Sequence, residues 1–145
     1  MISYFNKLFL ILILLIFVSN HGNSQPSLSY YSSSHPKIGL GYEFSTRFWS
    51  EIRLYNNNEF SDITSELVLC NNVAHKERYN IYIGVGVTAN FNNGGVVLPV
   101  GLQFFPIKDF NKFSLHIEFL TGTYAGDDPY VRSSLGIRYQ FGKDD

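Results

Sequence analysis

Between Lys37 and Phe141 apolar and polar residues alternate almost one for one, and this period of two limits the chain's folds more than any other feature. The clearest run is Tyr79 to Phe91. Tyr79, Ile81, Ile83, Val85, Val87, Ala89 and Phe91 share one face, and Asn80, Tyr82, Gly84, Gly86, Thr88 and Asn90 share the other. The last run, Tyr130 to Phe141, repeats the pattern, with Ser133, Leu135, Ile137, Tyr139 and Phe141 set against Ser134, Gly136, Arg138 and Gln140. A helix brings side chains to one face every three or four residues, so these runs are strands and the chain is all-β.

Five further runs alternate. Lys37 to Ser45 carries Ile38, Leu40, Tyr42 and Phe44 on its apolar face and Gly39, Gly41 and Glu43 on the other. Phe48 to Tyr55 sets Phe48, Ser50, Ile52 and Leu54 against Trp49, Glu51, Arg53 and Tyr55. Ile63 to Cys70, Val96 to Phe105 and Lys112 to Thr121 behave alike. The connections are read as a tight turn at Ser45 to Arg47, a turn-rich stretch NNNEFSD, a polar link from Asn71 to Arg78, a hairpin at Asn92-Asn93-Gly94-Gly95, a turn at Pro106 to Asn111 and the loop GTYAGDDP. The hairpin rests on the ease with which Asn and Gly take positive φ. Pro99 sits inside a strand and removes a ladder donor, which calls for a bulge or an incompletely closed sheet. Residues 25–36 are polar and serine-rich, with room for one more strand at Ser27 to Ser32. Single-chain bacterial barrels have an even number of strands, so that segment is needed to bring seven to eight.

The two faces differ in kind. One is apolar and often aromatic. The other collects Glu43, Glu51, Arg53, Glu66, Glu118, Arg132 and Arg138. Hydrocarbon outside and a narrow polar lumen inside accommodate both, so the fold expected over residues 37–141 is an antiparallel up-and-down transmembrane β-barrel of about eight strands, followed by a polar tail at 142–145. The seven charged groups then form a lumen network of salt bridges and hydrogen bonds, because charges in a confined interior must be paired. An eight-stranded barrel is just wide enough for side chains to fill, which argues against a conducting pore.

Ahead of the barrel, Lys7 precedes an unbroken apolar run from Leu8 to Val18 and then SNHGNSQ, the pattern of a secretory signal peptide over residues 1–24 with cleavage after Ser24. The run is too short for a spanning helix. No cysteine follows it, which argues against a lipid anchor. Cys70 is the single cysteine of the chain, so no intrachain disulfide can form. The formal net charge is −1 and the basic residues are scattered, which argues against nucleic acid as a partner. An aromatic content of 17 % with 12 glycines suits strands, turns and interfacial belts.

Ser114, His116 and Glu118 lie at i, i+2 and i+4 on one strand face and have the residue types of a nucleophile, a base and an orienting carboxylate. Same-face neighbours are about 7 Å apart along a strand, which strains direct contact, and alternation readily produces such triplets. They are candidate catalytic residues, but the reading favours no catalysis. His35 and His75 stand alone in connections and are read as solvated; no metal site or cofactor is expected. Asp127 and Asp128 suit a turn, and also a divalent cation or a bridge to lipopolysaccharide.

The segments PVGLQFF, FSLHIEF and SSLGIRYQF resemble the C-terminal half of the small eight-stranded outer-membrane β-barrel proteins of Gram-negative bacteria. That resemblance implies an outer-membrane location, surroundings of outer-membrane lipid and lipopolysaccharide, and a closing strand (Leu135, Ile137, Tyr139, Phe141) read by the barrel assembly machinery. It does not imply a catalytic activity. The leader together with the alternating strands supports a structural, adhesion or envelope-integrity role, with any extracellular or envelope protein partner unspecified. The chain runs on past Phe141, whereas family members often end on the aromatic. Barrel lipases that trim lipid A place Ser and His toward the membrane, while Ser114 and His116 belong to the lumen face. A second reading is a barrel enzyme acting on lipid A or phospholipid. A third is a soluble, exported lipocalin-like barrel for a small apolar ligand, which calls for apolar inward faces and meets charged ones here.

Overall fold

The computed structural model describes residues 25–56 and 63–142. The expected signal peptide, most of the NNNEFSD connection and the last three residues lie outside these. The described residues form eight strands: β1 (Gln25–Ser32), β2 (Lys37–Glu43), β3 (Phe48–Asn56), β4 (Ile63–His75), β5 (Tyr79–Ala89), β6 (Gly94–Phe104), β7 (Phe113–Tyr124) and β8 (Tyr130–Gln140). Each pairs antiparallel with its sequence neighbours, and β1 pairs β8 from Ser27↔Gln140 to Ser32↔Leu135, so the sheet is a closed up-and-down barrel. The serine-rich Ser27 to Ser32 segment is the strand that closes it. The ladder continues one residue beyond β8, where the Phe141 amide donates to the Pro26 carbonyl at 2.9 Å.

The alternation places apolar side chains outward on every strand. Leu40 is 65 % exposed, Val85 63 % and Leu135 64 %, while the inward Arg53 and Glu118 are 0 % exposed. This inverts a water-soluble barrel. A soluble monomer rarely shows a contiguous apolar patch beyond a few hundred Å², and here the patch runs round the whole wall. Strands of 11 residues such as β5, β6 and β8 tilted by about 40° reach roughly 28 Å along the barrel axis, close to the hydrocarbon thickness of a bilayer. A collar of outward aromatics (Phe44, Phe48, Tyr79, Phe104, Phe113, Tyr139) marks the end of the barrel where the described residues begin at Gln25 and finish at Gly142, the chain-end side.

Several expected boundaries move, each for a physical reason. β4 does not stop at Cys70 but continues to His75, through residues read from sequence as a polar link. A bulge between Asn72 and Ala74 adds Val73 and breaks the parity that periodicity relies on. Asn72 pins the bulge from inside the barrel: its Oδ1 accepts the Trp49 Nε1 proton at 3.1 Å and its Nδ2 donates to the Thr46 carbonyl at 2.9 Å. β7 likewise runs on through Gly122 and Thr123 to Tyr124, which shortens the last loop.

Pro99 neither opens the sheet nor makes a bulge. The β5–β6 pairing lapses between Ile83↔Val100 and Gly86↔Val97 and resumes in the same register, so the missing donor costs local ladder bonds only. The β5–β6 hairpin turns two residues earlier than the NNGG motif suggests, at Phe91-Asn92. Among the described residues positive φ occurs at Asp109, Gly126 and Gly142, so this turn does not depend on it. Asn90 makes it instead: its Oδ1 accepts the amides of Asn92 and Asn93 at 2.9 and 2.7 Å.

Candidate functional site

β1, β2, β3, β4, β5, β7 and β8 each send long polar side chains to the mid-height of the lumen. Arg53 of β3 is the hub and uses all five of its N–H donors. Nε donates to Glu51 Oε1 at 2.7 Å, Nη1 to Glu66 Oε1 at 3.0 Å and Glu118 Oε1 at 2.8 Å, and Nη2 to Glu118 Oε2 at 2.7 Å and Tyr31 OH at 3.4 Å. Arg138 of β8 is the second hub. It donates to Ser29 Oγ at 2.9 Å, Tyr31 OH at 3.1 Å and Glu51 Oε2 at 2.9 Å, and its guanidinium lies 4.0 Å from the Trp49 ring centroid. Glu51 in turn accepts from the Ser29 and Tyr31 hydroxyls at 2.7 and 2.9 Å.

Lys37 stands 3.5 Å from both Glu66 and Glu118. Three cations, Lys37, Arg53 and Arg138, therefore meet three carboxylates, Glu51, Glu66 and Glu118, all within 1 % of complete burial, and the set is neutral. Neutrality is the physical requirement here: an unpaired ion in such an interior costs several kcal/mol, whereas a complete set roughly breaks even. Tyr82 adds a donor, giving its hydroxyl proton to Glu118 Oε2 at 2.7 Å.

Glycines make room for this plug. Tyr82 lies over Gly101 and Tyr31 over Gly136, so closely that a Cβ on either glycine would collide with the ring. An apolar cluster adjoins it, in which Trp49, Val68, Cys70, Val97 and Leu120 pack with Tyr82.

Of the seven charged residues read from sequence as a lumen network, the structure brings together Glu51, Arg53, Glu66, Glu118 and Arg138. Glu43 stays partly exposed at the chain-end mouth. Arg132 stands at the opposite mouth, between the Tyr55 and Tyr130 rings. Lys37, Tyr31, Ser29 and Tyr82 are the members that the reading of charges passed over. Lys37 shares parity with Gly39 and Gly41, which was the available signal; its place at a strand start disguised it.

Ser114 Oγ and His116 Nε2 are 3.3 Å apart, closer than backbone spacing along the strand suggests. No triad results. Glu118 is held by Arg53, Lys37 and Tyr82, and His116 Nδ1 has no hydrogen-bond partner among the described residues. Ser114 instead belongs to a polar chain that descends to the mouth: Gln103 donates to it at 2.9 Å, Asn80 donates to Gln103 at 3.0 Å, and His75 lies 2.6 Å from Asn80. A cavity of about 590 Å³ lined by Glu43, Thr46, His75, Asn80 and Phe105 opens there. No group of three or more His, Cys, Asp or Glu side chains among the described residues is arranged to hold a metal ion.

No protein-family model matches the chain, and no curated protein does. Solved structures do. A computationally designed transmembrane β-barrel is similar over 84 % of this chain and 98 % of its own, at a TM-score of 0.59 and 15 % identity. The N-terminal β-barrel domain of Pseudomonas aeruginosa OprF is similar over 81 % and 96 %, at 0.60 and 8 %. Neisserial surface protein A is similar over 81 % and 94 %, at 0.51 and 16 %. Identities this low speak for the fold alone. The chain has the fold of the closed, eight-stranded, antiparallel barrels found in outer membranes.

Proposed function

We propose that the protein is an outer-membrane barrel with a structural, adhesion or envelope-integrity role, its interior filled by the neutral charge plug. The observation that carries this reading is the inversion of polarity, with a predominantly apolar wall around a paired ionic core. The signal peptide over residues 1–24 supplies export. The chain-end collar faces the periplasm, and the connections at 33–36, 90–93 and 125–129 face outward. Leu135, Ile137, Tyr139 and Phe141 present the closing strand to the assembly machinery, and outer-membrane lipid with lipopolysaccharide covers the wall.

The plug opposes conduction, since Arg53 and Glu118 occupy the axis with their donors and acceptors committed. Catalysis on lipid through Ser114 and His116 is disfavoured because both side chains are buried in the lumen at 1 % exposure, out of reach of a lipid on the wall. Fractionation tests the reading: the protein should sediment with outer membranes and resist alkaline extraction. Recovery in the soluble periplasmic fraction would overturn it. A His116→Ala strain should keep an unchanged lipid A and phospholipid profile.

A further inference from the structure

The mouth opposite the chain ends holds polar groups that the plug does not use. Thr64 of β4, Thr88 of β5, and Tyr130 and Arg132 of β8 reach it from three strands. Thr64 Oγ1, Thr88 Oγ1, Tyr130 OH and Arg132 Nη1 are each buried and without a hydrogen-bond partner among the described residues. They belong to one layer. Tyr55 pairs in register with Thr64, and Thr88 and Arg132 both lie beside its hydroxyl. The Arg132 guanidinium is 5.0 Å from the Tyr55 ring centroid and 5.4 Å from that of Tyr130. Tyr124 completes the wall, stacked on Tyr130 at 5.7 Å and 3.3 Å from the Tyr55 hydroxyl.

Native interiors seldom leave even one such group unpaired, and a cluster of them in one layer points to a shared partner. The charge count points to its sign. Lys37, Arg53 and Arg138 already balance Glu51, Glu66 and Glu118, so Arg132 is the cation left over, and no salt bridge is made to it among the described residues. Glu66, two residues along β4 from Thr64, is engaged by Arg53 at 3.0 Å and Lys37 at 3.5 Å. The excess is felt in the neighbouring loop, where burial and then the Arg132 cation hold the His35 imidazole below its ordinary value.

We propose that this layer is a binding site for a soluble tetrahedral oxyanion of the phosphate class, seated on Arg132 between the Tyr55 and Tyr130 rings. Three hydroxyls and a guanidinium nitrogen converge here as donors, and a tetrahedral ion presents four oxygens in different directions to groups that come from three strands. Guanidinium is also the side chain best suited to such an ion. Lipid phosphate is the wrong source: headgroups meet the outward faces, and this layer lies on the inward face, near the end of the lumen. The inference rests on the membrane reading only for the compartment that supplies the ion.

The test uses isotope-labelled protein purified from membranes in non-ionic detergent and titrated with inorganic phosphate at constant ionic strength, followed by NMR at the Arg132 Nε and at the amides of Gly122 and Tyr130. The expected result is a saturable shift confined to this layer and absent with chloride, weakened at least about tenfold in Arg132→Gln and less in Arg132→Lys. Tyr130→Phe, which keeps the ring and removes one donor, should weaken it too, and serves if Arg132→Gln fails to fold. Shifts that do not saturate, that chloride reproduces, or that survive both Arg132→Gln and Tyr130→Phe would overturn the proposal. Phosphate binding by a protein that fractionates as soluble would leave this inference standing while removing the membrane reading.

Discussion

Arg53 is the residue at which one substitution tests the whole interior. Its five donors serve three carboxylates and a phenol, so Arg53→Met strands buried negative charge in the middle of the barrel. The expected loss is about 3–5 kcal/mol of unfolding free energy, measured by urea titration of the protein in lipid vesicles. Lys37→Met should cost clearly less, because its two contacts are at 3.5 Å and neither carboxylate depends on it alone. Equal losses for the two would contradict the hub assignment. At this scale the sequence shows which face a residue takes, since parity decides it. It does not show who meets whom. Arg53 and Glu66 are register partners on adjacent strands, but Arg53 and Glu118 meet across the lumen, and only closure of the sheet brings them together. Lys37 stayed hidden because a lysine at a strand start resembles a solvated end.

Among the elements, β4 shows where periodicity fails. The stretch from Asn71 is polar and the extra residue Val73 breaks its alternation, so it reads as a connection although Asn71, Asn72, Ala74 and His75 pair with β5. Asn72→Ala should cost about 1–3 kcal/mol, since it leaves the buried Trp49 indole N–H and the Thr46 carbonyl without their partner. Thermal unfolding followed by Trp49 fluorescence reads the change. β6 makes the complementary point: Pro99 argued against a closed sheet, yet the wall tolerates a lapse of two pairs because the register on either side is unchanged. Gly101 in the same strand is less forgiving. Gly101→Val should displace Tyr82 from Glu118 and leave most of the protein without the compact electrophoretic form, whereas Gly126→Ala, strained only through its φ of 85° in an open loop, should retain it.

For the molecule as a whole, seven of the strands, their faces and the inside-out polarity are legible in the sequence, because seven short segments of period two leave few ways to bury both a ring of charges and a wall of leucine, isoleucine and valine. The serine-rich β1 was the exception; it earned its place only by the need to pair β8, a whole-barrel property. The central claim is that this closed sheet stands in lipid. The most direct measurement is the electrophoretic mobility of the membrane fraction in mild detergent, with and without boiling. A closed barrel stabilised by its girdle of backbone bonds should run as a compact, faster band that shifts on heating. A single band with no heat shift, recovered from the soluble fraction, would contradict the account.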